Sequence, residues 1–144
     1  MSTPGIELDD AELVGTTANA RFLLVRPRVI AVVPVPGCVD VAETARASIE
    51  LQMAYWQSRG EAGGSVIFMD AIVEQDKGAR AAYVDLPDPR WFTGFGLVGG
   101  TRFGRAVASV FLGLRKPPVP TRFFATSPDA VAWVERRNEL HRVQ

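Results

Sequence analysis

The feature that constrains the fold most is a short apolar run, Val-Ile-Phe-Met at residues 66–69, that leads directly into Asp70. The run does not alternate between apolar and polar side chains, which is typical of a strand buried on both faces of a parallel sheet. A polar segment at residues 74–78 and a helix-like segment at residues 79–84 follow it. In α/β proteins, the loops after such strands form the crevice that holds the site. The sequence therefore predicts an α/β fold and a site location, but it names no reaction.

Two β-rich runs and a long helix are predicted before this strand. The runs at residues 22–25 and 29–33 are separated by Arg-Pro-Arg, which predicts a hairpin. The helix is expected to begin with a capping box formed by Asp40 and Glu43 and to end at Gly60 as a left-handed cap. Apolar residues at three- and four-residue spacings predict its buried face: Ala42, Ala45, Ile49, Met53 and Trp56.

The second half of the chain adds two more strands and two more helices. We expect strands at residues 91–98 and 121–125, and a final helix at residues 128–140 with Ser127 as its N-cap. Between the two strands, a further helix is predicted from the stripe Phe103, Val107, Val110 and Leu114.

The predicted order of elements is ββαβαβαβα. Helices that alternate with apolar strands indicate a mixed, mostly parallel sheet, here of about five strands with four helices. Residues 20–144 are expected to form this single domain, since a chain of 144 residues is of ordinary single-domain size. Residues 1–19 are polar and acidic and are predicted to be a loose lead-in.

Composition limits the classes of partner and the compartment. The 16 basic and 16 acidic residues balance, so nucleic acid is not an expected partner. One cysteine, Cys38, fits a reducing compartment. The N-terminus lacks the pattern of a signal peptide, and no apolar run reaches the ~20 residues that span a bilayer. We therefore expect a cytoplasmic protein with no membrane span.

Three carboxylates, Asp70, Glu74 and Asp76, follow the central strand. They could hold a hard cation such as Mg²⁺ or act as an acid–base pair in a metal-dependent hydrolase. Their spacing fits no known metal loop, so a solvated loop is the preferred interpretation. Neither Cys38 nor the single histidine, His141, stands in a catalytic pattern. The sequence therefore predicts no catalytic residue, no metal and no cofactor.

A second candidate site lies at the predicted start of the helix that carries Phe103 and Leu114. Residues 94–99 match G-x-G-x-x-G, but the first two glycines fall inside a predicted strand and no acidic residue follows at the expected distance, which argues against a dinucleotide site. The turn Gly99, Gly100, Thr101 and Arg102 feeds a helix N-terminus in a basic, acid-free segment. Such an end favours anions, so a small anionic or lipid-like ligand is the alternative prediction.

Three segments together resemble the STAS-like domains, the group of anti-sigma-factor antagonists and looser bacterial relatives that shares a fold with the Sec14-type lipid-binding domain. They are residues 66–70 with residues 76–78, residues 98–102, and residues 126–133. The resemblance implies a regulatory module that binds a protein partner. In the antagonists a phosphorylatable serine opens the second helix; the matching place here reads Asp-Lys-Gly at residues 76–78, which implies a module without that switch.

The preferred prediction is therefore a noncatalytic STAS-like regulatory module that acts by protein–protein interaction. Its surface is expected to run from the loop after the central strand along the second helix, and the sequence leaves self-association open. The predicted partner-binding residues are Asp70, Glu74, Asp76, Lys77 and Arg80.

Overall fold

The structure is a computed structural model that describes residue 8, residues 10–99 and residues 118–141. Within these ranges the chain forms strands, helices and one 3₁₀ turn. In chain order they are β1 (Glu12–Thr16), β2 (Ala20–Arg26), β3 (Val29–Pro34), β4 (Cys38–Asp40), α1 (Ala42–Arg59), β5 (Gly63–Phe68), the 3₁₀ turn (Met69–Ala71), β6 (Ile72–Gln75), α2 (Lys77–Asp85), β7 (Phe92–Val98), β8 (Thr121–Phe124) and α3 (Ser127–Leu140).

The main sheet has the strand order β1-β2-β3-β5-β7-β8. The pairs β1–β2 and β2–β3 are antiparallel, and the other three pairs are parallel. The predicted α/β class, with a mixed and mostly parallel sheet, is confirmed. The sheet has six strands rather than about five, and the described residues contain three α-helices rather than four. The predicted helix around Phe103 lies outside the described residues.

Three strands lie where the sequence predicted loops. The strand β1 lies within the predicted lead-in and pairs with β2. The strands β4 and β6 pair in parallel as a separate two-stranded sheet, so the polar loop predicted at residues 74–78 is in fact the end of a strand and the start of a helix. Strands of three to five residues span too few positions to show a clear period, which is why the sequence pattern did not indicate them.

The helices cover both faces of the main sheet. On one face, Ile49 and Trp56 of α1 pack with Ile30 and Phe95. On the other face, α3 contributes a row of buried side chains that packs on β3, β5 and β7 (Ala130, Val131 and Val134). Alternate residues of each strand therefore contact opposite helix layers.

The start of α1 corrects one prediction. The N-cap is Val41, not Asp40, and its N–H donates to Thr44 Oγ1 at 2.9 Å. Glu43 is exposed. The helix ends at Gly60 with φ +68°, as predicted. Asp40 stays in β4 because its side chain is drawn into the interior, as described below.

The glycines of the G-x-G-x-x-G match serve the packing of α3. A Cβ at Gly96 would lie 3.1 Å from Ala130 Cβ, and one at Gly94 would lie 3.0 Å from Arg137 Cγ. Both contacts are tighter than ordinary van der Waals contact, so the glycines let the helix approach the strand closely. This is a packing role in a strand interior, consistent with the rejection of a dinucleotide site.

Replacement of Gly64 tests this close packing. A Cβ at Gly64 would lie 2.5 Å from Val134 Cγ1 and 2.7 Å from the Gly94 carbonyl oxygen. Because backbone cannot move aside cheaply, we expect Gly64→Ala to lower the free energy of unfolding by about 1–3 kcal/mol, measured by urea denaturation. The control is Gly15→Ala, whose nearest neighbour is the flexible end of Leu51, and a change within about 0.5 kcal/mol is expected there. Equal effects of the two variants would contradict the prediction.

Candidate functional site

A buried carboxylate lies at the end of β4. Asp40 is only 3% exposed. Its Oδ1 accepts a hydrogen bond from Thr44 Oγ1 at 2.6 Å, and its Oδ2 accepts from the Tyr83 hydroxyl at 2.7 Å and from Gln75 Nε2 at 3.2 Å. A buried carboxylate requires such donors because it has lost its water. These bonds join β4 to α1, β6 and α2.

The register of the small sheet turns Asp40 inward. Cys38 is opposite Ile72 and Asp40 is opposite Gln75, while Val39 between them is exposed. The backbone adds one further link, since the Asp76 N–H donates to the Asp40 carbonyl at 3.1 Å. Alternation along three residues is therefore enough to place the carboxylate between the helices.

A row of polar side chains continues from Asp40 along the inner face of α1. Thr44, Ser48 and Gln52 are spaced four residues apart and so share one helix face. Gln52 Nε2 donates to Ser48 Oγ at 3.1 Å, and Gln52 Oε1 accepts from Ser65 Oγ on β5. This row corrects the predicted apolar stripe of the helix: Ala45, Ile49 and Trp56 are buried, but Ala42 is exposed and Met53 only half-buried.

An apolar cavity of about 50 Å³ lies between this helix face, β6, α2 and the main sheet. Side chains of β3, β5, β6 and β7 make up half of the residues in its wall. The polar side chains in the wall are Ser48, Gln52, Gln75, Tyr83 and Thr121. A second cavity of about 30 Å³ shares Ser48 and Tyr83 with the first and includes Cys38 and Asp40 in its wall.

The titratable groups around Asp40 are held in their protonated forms. Burial, and then the charge of Asp40, raises the pKa of the Tyr83 hydroxyl well above its usual value. Burial, and then Asp40, also raises the pKa of the Cys38 thiol. Because thiolate is the reactive form of cysteine, Cys38 is a poor nucleophile at neutral pH. Tyr83 remains a hydrogen-bond donor to Asp40, so the cluster can orient and bind polar groups.

The predicted partner-binding residues lie in the continuous segment from the 3₁₀ turn to the first turn of α2, in different local roles. Asp70 lies in the 3₁₀ turn, Glu74 is exposed on β6, and Lys77 is exposed at the start of α2. Asp76 is the N-cap of α2, and its Oδ1 accepts from the Ala79 N–H at 2.8 Å. Arg80 is half-buried and donates from Nη1 to the Gln75 carbonyl at 2.8 Å. Asp76 and Arg80 therefore stabilise the end of β6 and the first turn of α2.

The alternative ligand site is described only at its first residue. Gly99 is buried, and its N–H donates to the Phe124 carbonyl at 3.2 Å, so that amide is used within the fold. Gly100, Thr101 and Arg102 lie outside the described residues, and the anion site there stays a prediction. His141 lies away from the cavity, with its Nε2 3.0 Å from the Pro89 carbonyl.

The outer face of the β4–β6 sheet carries exposed apolar side chains that the sequence analysis did not single out. Val39 is 44% exposed and Val73 55% exposed, and Val35 in the preceding turn is 47% exposed. Glu74 follows Val73 directly and is paired with Val39, and Lys77 is the first residue of α2; both side chains are exposed. We call Val35, Val39 and Val73 the valine patch. The alternation of Cys38, Val39 and Asp40 is the available signal for this strand, whereas the capping-box pattern predicts that Asp40 begins a helix.

No protein-family model matches the chain, and neither does any curated protein or solved structure. Within residues 10–99 and 118–141, no group of three or more His, Cys, Asp or Glu side chains could hold a metal ion. Over the same part of the chain, no helix is both long and apolar enough to cross a membrane. Function is therefore inferred from the geometry of the described residues.

The importance of the buried carboxylate can be tested with Asp40→Asn. An amide nitrogen cannot accept a hydrogen bond, so Thr44 loses its acceptor if the nitrogen replaces Oδ1, and both Tyr83 and Gln75 lose theirs if it replaces Oδ2. We expect the free energy of unfolding to fall by about 2 kcal/mol, the range for hydrogen bonds to charged groups. The matched control is Glu74→Gln on the exposed face of the same sheet, with an expected change within about 0.5 kcal/mol. The prediction is wrong if both variants unfold at the same urea concentration.

The raised pKa of Tyr83 predicts how stability changes at alkaline pH. A tyrosine in the unfolded chain loses its proton near pH 10, whereas Tyr83 in the folded chain keeps it. The unfolded state then binds fewer protons, so the contribution of Tyr83 is complete below about pH 10 and is lost as the pH rises through the folded pKa. Urea unfolding at pH 8–11 should show the stability advantage of the wild type over Tyr83→Phe shrinking above about pH 10.

The control for this titration is Tyr55→Phe. Tyr55 lies on α1 with its ring centroid 5.2 Å from that of Trp56, away from Asp40. A wild-type advantage over Tyr83→Phe that stays constant across the same pH range would show that Asp40 and burial do not hold the Tyr83 proton.

Proposed function

We propose that this chain is a noncatalytic regulatory module that binds another protein through the outer face of the β4–β6 sheet and the start of α2. The observation that carries this proposal is the valine patch beside exposed charges, Glu74 and Lys77. Isolated exposed apolar residues are ordinary, but apolar residues grouped together and rimmed by polar ones mark interaction sites.

Three exposed valines can form only the centre of an interface and not the whole of one. A stable protein–protein interface buries roughly 800 Å² on each partner, with an apolar centre and a polar rim. The valine patch would supply the centre, and Glu74 and Lys77 would supply part of the rim. Charges at a rim chiefly influence the choice of partner and the rate of association.

The order of elements also supports a STAS-like module. An antiparallel hairpin leads into parallel strands with helices on both faces, as the resemblance implies. In this proposal Lys77 stands where the antagonists carry their phosphorylatable serine, so phosphorylation at this position does not control binding. The partner contacts are assigned to Glu74, Lys77 and the valine patch, because Asp76 and Arg80 hold the backbone of α2 and β6.

A photo-crosslinking residue in place of Val73 tests the proposed surface in cells that contain the natural partners. We expect a crosslinked adduct from Val73 that does not form when the same residue replaces Leu13. The two positions are matched, because Val73 is 55% and Leu13 is 56% exposed. An adduct of twice the mass of the chain would identify the partner as a second copy. Identical adduct patterns from the two positions, or none from Val73, would contradict the proposal.

Two substitutions sharpen this experiment. Val39→Lys places a charge in the valine patch, and Lys77→Glu reverses a charge at its rim. Both variants should reduce the yield of the Val73 adduct. The reduction for Val39→Lys should be about tenfold or more, because a charge would then be buried at the centre of the interface. Arg80 is left unchanged, since its bond to the Gln75 carbonyl would make a loss of structure look like a loss of binding. Thermal unfolding of each variant confirms that the fold is retained.

A further inference from the structure

We propose that the 50 Å³ cavity between α1, α2, β6 and the main sheet is a binding site for a small, neutral, largely apolar molecule with one O–H or N–H donor. This site is separate from the valine patch and goes beyond the proposed protein interaction. The ligand's donor would bind Gln75 Oε1, and its apolar part would contact Ile67, Ile72 and Leu97.

The key observation is a buried carbonyl oxygen without a partner. Gln75 Oε1 is shielded from solvent and finds no hydrogen-bond partner among the described residues. A buried acceptor in this state is unfavourable unless a donor arrives from outside the protein. Since Gln75 lies in the wall of the cavity, a molecule in the cavity is in a position to provide that donor.

The orientation of the Gln75 amide is determined by its neighbour. Gln75 Nε2 donates to Asp40 Oδ2 at 3.2 Å. Because a carboxylate accepts hydrogen bonds and cannot donate one while ionised, the nitrogen must face Asp40 and the oxygen must face away from it. The unsatisfied group is therefore an acceptor, and the ligand must be a donor.

The other polar groups of the wall are already engaged. Gln52 donates to Ser48 Oγ and accepts from Ser65 Oγ of β5. Tyr83 donates to Asp40, and Thr121 Oγ1 donates to the Val119 carbonyl at 3.0 Å. The remainder of the wall is apolar, so a charged ligand would lose its hydration without compensation. These contacts favour a neutral ligand that makes one specific hydrogen bond.

The volume limits the size of the enclosed part of the ligand. A cavity of about 150 Å³ in another protein binds benzene, so about 50 Å³ accommodates only a few heavy atoms. A larger ligand would have to extend toward solvent. The enclosed part therefore corresponds to the donor end of a short branched alcohol or a comparable amide, with the rest of the molecule directed toward solvent, and binding of such a fragment alone is expected to be weak.

Two isomers with the same formula separate the hydrogen bond from the apolar contact. We would titrate the protein with 2-methylpropan-1-ol, which has an O–H donor, and with 2-methoxypropane, which has none, and follow amide and methyl NMR shifts. We expect the alcohol to bind about tenfold or more tightly than the ether, since only the alcohol satisfies Gln75 Oε1. The largest shifts should fall on the Gln75 side-chain amide and on the methyl groups of Ile67, Ile72 and Leu97.

The variant Gln75→Met removes the acceptor and keeps an unbranched side chain of similar length. We expect it to abolish the preference for the alcohol and to leave ether binding within about twofold, a result that a purely structural role for Gln75 would not produce. If the variant fails to fold, the preference of the wild-type protein for the alcohol and the positions of its NMR shifts still test the proposal. Equal affinities, shifts outside the cavity wall, or an ordered water on Gln75 Oε1 that the alcohol does not displace would each overturn the proposal.

Discussion

Hydrogen bonds to one buried carboxylate, Asp40, hold β4, β6, α1 and α2 together. The strand β4 has only three residues and pairs only with the four-residue β6, so backbone bonds alone give it little stability. Burial of the Asp40 charge is tolerable only because Thr44, Gln75 and Tyr83 donate to it. Those donors come from α1, β6 and α2, so the same bonds that stabilise the charge also position these elements.

The two-stranded sheet separates two environments. Its inward side chains, including Asp40, Ile72 and Gln75, border the cavities, whereas Val39, Val73 and Glu74 face outward. A layer one strand thick therefore lies between the proposed ligand site and the proposed partner surface. The opposite face of the main sheet is packed by α3, where Gly64, Gly94 and Gly96 bring strand and helix into close contact. Both faces of the main sheet are therefore packed by helices, and the cavity lined by Gln75 lies on the α1 side.

Predictions from the sequence succeeded where residues close together along the chain determine the local backbone structure. The proline-containing hairpin, the presence of a central strand and the left-handed Gly60 all depend on short-range sterics or on an uninterrupted apolar run. Burial of that run is only partial, since Ile67 and Phe68 are half-buried. The predictions failed where a polar residue had a long-range partner. Asp is a residue type that often caps helices, but the Asp40 side chain is instead bound by Tyr83, 43 residues away. Glutamine is usually exposed, but Gln52 is buried and accepts a hydrogen bond from Ser65 on β5.

By itself, the sequence determined the α/β class, the hairpin and the central strand, because alternation, apolar runs and turn residues are read from neighbours along the chain. The tertiary structure alone decided which polar side chains became buried. It also decided that β4 and β6 pair, that their valines face outward, and that behind them lies a cavity whose Gln75 side-chain carbonyl has no partner among the described residues. The reason is physical: burial and hydrogen bonding depend on which distant segments meet, and neither the period nor the composition of a short segment records its partner.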